Sequence, residues 1–282
     1  MVYILSHRRP DRVYTYRTLR GQGYTGDICI VLDNTDPTIH EYRERYGNVV
    51  VFDKHENTGT DPCNNFGDLK GVVYARNALY QIAREHGCQY PIVLDDDYIR
   101  FSLKFDQQYT FIERPVKNLD DLFAAHIEFV QQTGAAALCM AQTGDYIGGA
   151  NGGFGQKVTL FRKGMNVWFL NTDNPISFMG QINEDANAYV SEGAKGKLIF
   201  TYNGACVLQK QTQANAVGLT ELYLSTGTYV KSFYSVMVAP SCVKVAEMGQ
   251  RFRRLHHSID WKYTVPKILH ERHRKCEGVE IG

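Results

Sequence analysis

Three carboxylates stand side by side in "YPIVLDDDYIRFS" (90–102): Asp95, Asp96 and Asp97 follow the apolar run Ile92-Val93-Leu94. Adjacent like charges repel, so the arrangement calls for a positive partner. On an extended strand alternate side chains face the same way, which would set Asp95 and Asp97 on one side and Asp96 on the other. Two carboxylates so placed suit a hard divalent cation such as Mg²⁺ or Mn²⁺. A cation with open positions could then grip a diphosphate and neutralise a leaving phosphate. A solvated acidic turn is the competing account of the same residues.

A second constellation is "GQINEDANAYVSEG" (180–193). Asn183 could cap a helix whose first turn holds Glu184 and Asp185 against the dipole. One of these acids could equally serve as a general base that deprotonates an acceptor hydroxyl. Both roles can coexist. In "ARN" (75–77), Arg76 and Asn77 sit early in a helical pattern. They could meet a phosphate or a ribose, or be ordinary exposed helix side chains. His256 and His257 could complete a metal site, or be structural.

The elements that must position these residues are legible in the first third. "VYILS" (2–6), "DICIVLDN" (27–34), "NVVVFDK" (48–54) and "PIVLDDD" (91–97) read as buried strands. Between them, 13–23, 36–47 and 72–87 have helical character. This βαβαβαβ order predicts a mostly parallel sheet covered by helices. Ligands sit at the carboxyl ends of such strands, so Ser6-His7-Arg8-Arg9, Asp33-Asn34 and Asp95-Asp96-Asp97 should converge on one crevice.

Beyond residue 103 the pattern changes. A helix is expected over 118–134, and a hairpin over 157–171 turning at Lys163-Gly164. A strand pair turning at Asn203-Gly204 follows, then strands in "GTYVKSFYSVMVAP" (227–240) and "SCVKVAEMG" (241–249). "GGANGGFGQ" (148–156) lacks the G-K-[ST] of a phosphate-binding P-loop. With no linker or internal repeat, the chain is expected to form one domain over 1–282. Residues 1–103 would be its nucleotide-binding half, and 104–282 its acceptor half with a basic C-terminal segment.

Composition narrows the class. The 282 residues carry 31 Lys and Arg against 30 Asp and Glu, a net charge of +1, so any attraction for nucleic acid must come from a local patch. Arg251, Arg253, Arg254, Lys262, Lys267, Arg272, Arg274 and Lys275 concentrate one near the C-terminus. A solvated surface helix would also account for that run. Seven cysteines without a C-x-x-C pair indicate neither a zinc knuckle nor a disulfide framework, and a reducing cytoplasm is the expected setting. No apolar run suggests a signal peptide or a membrane span.

In order along the chain, Asp33, "ARN", "LDDD", "ED" and a C-terminal histidine resemble a GT-A glycosyltransferase. "FMGQINEDANAYVSEGAKGKLIFT", "QKQTQANAVGLTELYLSTGTYVKSFYSVMVAPSCVKV" and "RLHHSIDWKYTVPKIL" are similar to the phage-type glycosyltransferases associated with TET/JBP genes. The resemblance implies a single-domain α/β GT-A fold, with a Rossmann-like, mixed but mostly parallel sheet flanked by helices. It implies a nucleotide-sugar donor, UDP-linked by preference, and a divalent cation. Asp33 would contact nucleobase or ribose. Arg76 and Asn77 would help hold the donor, with Asp96 near its sugar, and Ser6 and Arg8 would join them by their place at the end of the first strand. Asp95, Asp97 and His256 would be metal ligands. Asp185, beside Glu184, would be the base of an inverting enzyme. The acceptor would be a 5-hydroxymethylpyrimidine in DNA, cytosine by preference, held by Arg253, Arg254, Lys262 and Lys267. Phage-encoded DNA modification in a host cytoplasm is the implied context.

Overall fold

The computed structural model describes residues 1–56, 69–146, 148–152, 158–160, 162, 164–210, 230–249 and 253–265. Lys267, Tyr229 and Gln211-Thr212-Gln213 lie outside them.

The apolar runs form the expected parallel strands: β1 (Val2–Leu5), β2 (Ile28–Asp33), β3 (Val49–Phe52) and β4 (Ile92–Asp95). They pair in the order β3-β2-β1-β4, all parallel. Every residue of β1 and β2 is buried, as strands covered on both faces require. The sheet continues through β9 (Asn166–Leu170), β7 (Ala137–Gln142), β10 (Ile199–Gln209), β5 (Tyr98–Phe105) and β6 (Phe111–Pro115). β9 and β5 run against the rest of that path. The short β8 (Val158–Thr159) adds to β10 and completes a mixed, mostly parallel ten-stranded sheet.

Helices cover both faces. α1 (Tyr14–Gly21), α2 (Ile39–Arg45) and α4 (Leu119–Thr133) pack Leu19, Tyr42, Phe123 and Val130 onto one face with Ile4, Ile30, Leu94 and Phe169. α3 (Val73–Glu85) and α5 (Glu184–Ala194) cover the other with Leu79, Ile82 and Tyr189 against Tyr3, Val31, Val93 and Trp168. Asn118 caps α4 by accepting from the Asp121 amide, and Gly134 ends it in the left-handed conformation. Among the described residues no helix is long and apolar enough to cross a membrane.

Three expectations are corrected. β9 pairs with β4 and β7, and β8 with β10, so 157–171 is not a hairpin about Lys163-Gly164. Asn203-Gly204 is no turn: β10 runs straight through it, with a shift of register against β7 between Tyr202 and Cys206. Residues 230–238 are helical and not a strand. Residue 103, where the expected nucleotide-binding and acceptor halves meet, lies within β5 of the one sheet. Beyond the sheet, β11 (Val243–Met248) and β12 (Arg254–Ile259) form a separate antiparallel ribbon.

Candidate active site

Because β1 to β4 are parallel, their carboxyl ends share one edge, and side chains from those ends meet there. β4 stops at Asp95, so Asp96 and Asp97 belong to the turn that leads into β5, and strand alternation does not govern them. The turn is held from α1: Thr15 donates its hydroxyl to the Asp95 carbonyl (2.5 Å) and accepts from the Tyr98 amide (2.9 Å). The Thr15 amide reaches the Asp96 carbonyl at 3.2 Å.

The three acids have different partners. Asp96 is buried, accepts from Ser6 Oγ at 2.5 Å and lies 3.2 Å from Arg9 Nε. Burial pushes its carboxyl up to about 6 in spite of Arg9 and Ser6. Asp95 keeps a third of its side chain exposed, accepts from Tyr98 Oη at 3.3 Å and lies 3.7 Å from Arg76 Nη2. Asp97 forms no ion pair among the described residues, and burial, then Asp95 and Asp96, push it up to about 7. Lys210 is close, with its amide on the Asp97 carbonyl (2.9 Å) and its Nζ on Tyr14 Oη (2.9 Å).

Arg76 links this turn to α5. Its guanidinium is buried against the rings of Trp168 and Phe178, with Nη1 3.0 Å from Glu184 Oε1 and Nη2 on Asp95. Burial alone would disfavour its charge; Glu184, Asp95 and Asp185 more than offset that. Burial likewise raises Glu184 to about 7, against the pull of Arg76. Asp185, next to it in the first turn, stays half-buried. Arg76 is therefore spent on two carboxylates within the protein, and Glu184 is its partner.

Asn77 is likewise committed: it donates to the Phe178 carbonyl (2.8 Å) and accepts from the Phe178 amide (3.0 Å), pinning that segment to α3. Asn183 precedes α5 in a left-handed conformation and does not cap it; its amide donates to the Lys231 carbonyl (2.8 Å) and Ser235 Oγ (3.2 Å).

At the end of β2, Asp33 meets His7 Nδ1 at 3.0 Å, Lys54 Nζ at 3.4 Å and the Thr35 amide at 3.0 Å. Burial opposes its charge, yet these partners hold its carboxyl well below the usual range. Arg8 is exposed beside this cluster, with φ +54° and its amide on Asp36 Oδ2 (2.7 Å). Sequence reasoning placed Arg9 at the shared strand edge without naming its partner, and it missed Lys54, Thr15 and Lys210. Position just after β3 could have marked Lys54; no local signal marked Thr15 or Lys210.

His256 lies in the ribbon with Nδ1 on the His257 carbonyl (2.8 Å). Among the described residues no three His, Cys, Asp or Glu side chains gather as a metal site, so His256 does not join Asp95 and Asp97. Arg253, Arg254 and Lys262 are exposed on or beside the ribbon, away from the acidic turn in sequence and in element.

The arrangement places an acidic turn, two arginines and the first turn of a second helix at one sheet edge. The family described as TET-Associated Glycosyltransferase matches residues 1–218. The chain belongs to that family. As a TET-associated glycosyltransferase it carries Asp33, Arg76, the three aspartates and the Glu184-Asp185 pair within the matched span, while helix 230–238 and the ribbon lie beyond it. No curated protein matches the chain. Among solved structures, a cytidylyltransferase from Leptospira borgpetersenii serovar Hardjo-bovis (strain JB197) is similar over 85% of this chain and 91% of its own, at 12% identity and a TM-score of 0.40.

Proposed function

We propose that this TET-associated glycosyltransferase moves a sugar from a nucleotide-sugar, UDP-linked by preference, to the hydroxymethyl group of a 5-hydroxymethylpyrimidine in DNA, cytosine by preference. The observation that carries the reading is the buried chain Asp95–Arg76–Glu184, which ties the acidic turn to the helix bearing Asp185. Family membership supports the reaction class.

The acidic turn fits a divalent cation by its donor set. Asp97 is buried beside two further carboxylates without an ion pair of its own among the described residues, and Asp95 is partly open. Mn²⁺ or Mg²⁺ held by Asp95 and Asp97 would supply charge neutralisation for a departing diphosphate. Asp96 is left to fix Ser6 and Arg9 at the end of β1. Exposed Arg8 offers a guanidinium for donor phosphate. Asp33, with His7 and Lys54, forms the polar wall suited to the donor's base or ribose. Arg76 neutralises Glu184 and leaves Asp185 as the carboxylate able to accept the acceptor's proton while its oxygen attacks the anomeric carbon.

A thermal-shift series with nucleotide-sugars, each with Mn²⁺ and with EDTA, tests this. Stabilisation should require both metal and one nucleotide, and Asp97→Asn should abolish it. Equal stabilisation in EDTA would remove the cation from the reading. Transfer to a protein or polysaccharide, insensitive to DNA and to salt, would remove the acceptor.

A further inference from the structure

The ribbon lies beyond the family match yet packs on the helix that bears Asp185. Val243 and Cys242 are buried against Val190 of α5, with Ile259 packed beside them. Trp261 meets the Tyr189 ring edge-on at 5.3 Å. Val190 stands five residues after Asp185, about 8 Å along the axis at 1.5 Å per residue. Helix 230–238 closes the same unit onto the start of α5 through the Asn183 bonds and through Tyr234 Oη, which accepts from the Gln181 amide at 3.2 Å.

Cross-strand partners in an antiparallel ribbon share a face. The pair Val243–Ile259 packs on α5, and Val245–His257 shares its face, with Val243 and His257 buried. The opposite face carries Lys244 with Ser258, Ala246 with His256, and Met248 with Arg254. Lys244 and Arg254 are exposed there, and Arg253 and Lys262 flank it. The acids in this segment are Glu247, on the other face and 3.5 Å from Arg253, and Asp260, 3.7 Å from Lys262. The outward face is thus purely cationic among its charged side chains.

We infer that this ribbon enters the major groove of duplex DNA and docks the duplex next to the helix that bears Asp185. The inference rests on the proposed acceptor. A two-stranded β-ribbon fits the major groove, and the 5-substituent of a pyrimidine projects into that groove. Cations on the outward face contact phosphates, and the inward face fixes the ribbon to the catalytic helix. The base to be modified is then held on the groove side that carries its 5-substituent, and reaching Asp185 requires its extrusion from the duplex.

The test measures binding of hydroxymethylated duplex and single-stranded DNA against salt for the wild type, Lys244→Ala, Arg254→Ala and the double variant, with melting temperature as a check on folding. Each single change should weaken duplex binding severalfold and lower the slope of log affinity against log salt by about one, and the double change by about two. A loss of folding would not lower the slope in such steps. Slopes equal to wild type in both single variants would overturn the inference while leaving the acceptor intact. Wild-type affinity for single strands equal to that for duplex would overturn the groove mode. If the wild type neither binds nor glycosylates hydroxymethylated DNA of either form, the proposed acceptor falls and the inference with it.

Discussion

At the scale of single residues, the two acids at the start of α5 have different surroundings. Glu184 is buried and 3.0 Å from Arg76; Asp185 is half-buried, and its Oδ1 accepts from the Ala186 amide at 2.7 Å. Glu184→Ala would leave the buried Arg76 guanidinium with Asp95 alone, and removing one partner of such a pair costs about 3–5 kcal/mol, so the variant should unfold at clearly lower urea. Asp185→Asn should change stability by less than about 1 kcal/mol, retain donor binding, and lose transfer by roughly 10²–10⁴. Titration calorimetry with donor, beside a transfer assay, separates the two. If Asp185→Asn loses donor binding as well, Asp185 is a donor ligand or a structural group and not the base. The residues alone left open which acid would be the base, because adjacent positions in a helical first turn look alike. The resemblance pointed to Asp185, and burial and the distance to Arg76 set Glu184 apart from it.

At the scale of elements, α5 is where the C-terminal unit is fastened, and two glycines allow the close approach. A Cβ on Gly180, whose φ is +85°, would overlap the Tyr234 ring, and one on Gly193 would overlap the Thr264 backbone carbonyl. Thr264 is fully buried, so it cannot give way toward solvent. Gly193→Ala should therefore push the 261–265 turn off α5 in spite of alanine's better helix propensity, with a net cost of about 1–3 kcal/mol. Limited proteolysis should then cut first within 260–265, the turn released from α5. An unchanged melting curve and digestion pattern would show that the turn is not anchored there. The same elements explain what the sequence revealed and what it hid. The strands β1, β2 and β4 are continuous apolar runs between helices with local stop signals, so their order and the convergence of their ends were legible. Helix 230–238 was not. It buries Ser232 and Ser235 and exposes Phe233 and Met237, the reverse of an ordinary amphipathic face. Its aromatic and β-branched residues favour a strand until docking on Asn183 decides otherwise. The Asn203-Gly204 pair misled for a related reason. Its turn chemistry is real, but pairing of β10 with β5 and β7 over long sequence separations carries the strand through it.

At the scale of the whole molecule, acid stability combines opposed contributions that can be pulled apart. His126 in α4 is buried between the rings of Phe169 and Tyr202, each 4.8 Å away, with Nδ1 2.6 Å from the Leu122 carbonyl. Burial lowers it from 6.5 to about 4. Between those values the unfolded chain takes up a proton that the folded chain does not. Stability from this residue is therefore whole above pH 6.5, falls as pH drops toward 4, and levels off below that. The full effect is on the order of 3 kcal/mol. Asp96 and Glu184, raised to about 6 and about 7, act with the opposite sign over much of the same window, because the folded chain holds protons that the unfolded chain releases. Asp33, held low, loses its contribution only below its ordinary value of 3.8. The raw profile therefore mixes these terms, and the difference between wild type and His126→Phe isolates one of them. Urea unfolding of both proteins from pH 7.5 to pH 4 should show a stability difference that moves in favour of the variant through the 6.5 to 4 window. A difference that stays constant across that range would mean that His126 titrates normally in the folded chain, and that the ring pair around it is open to water.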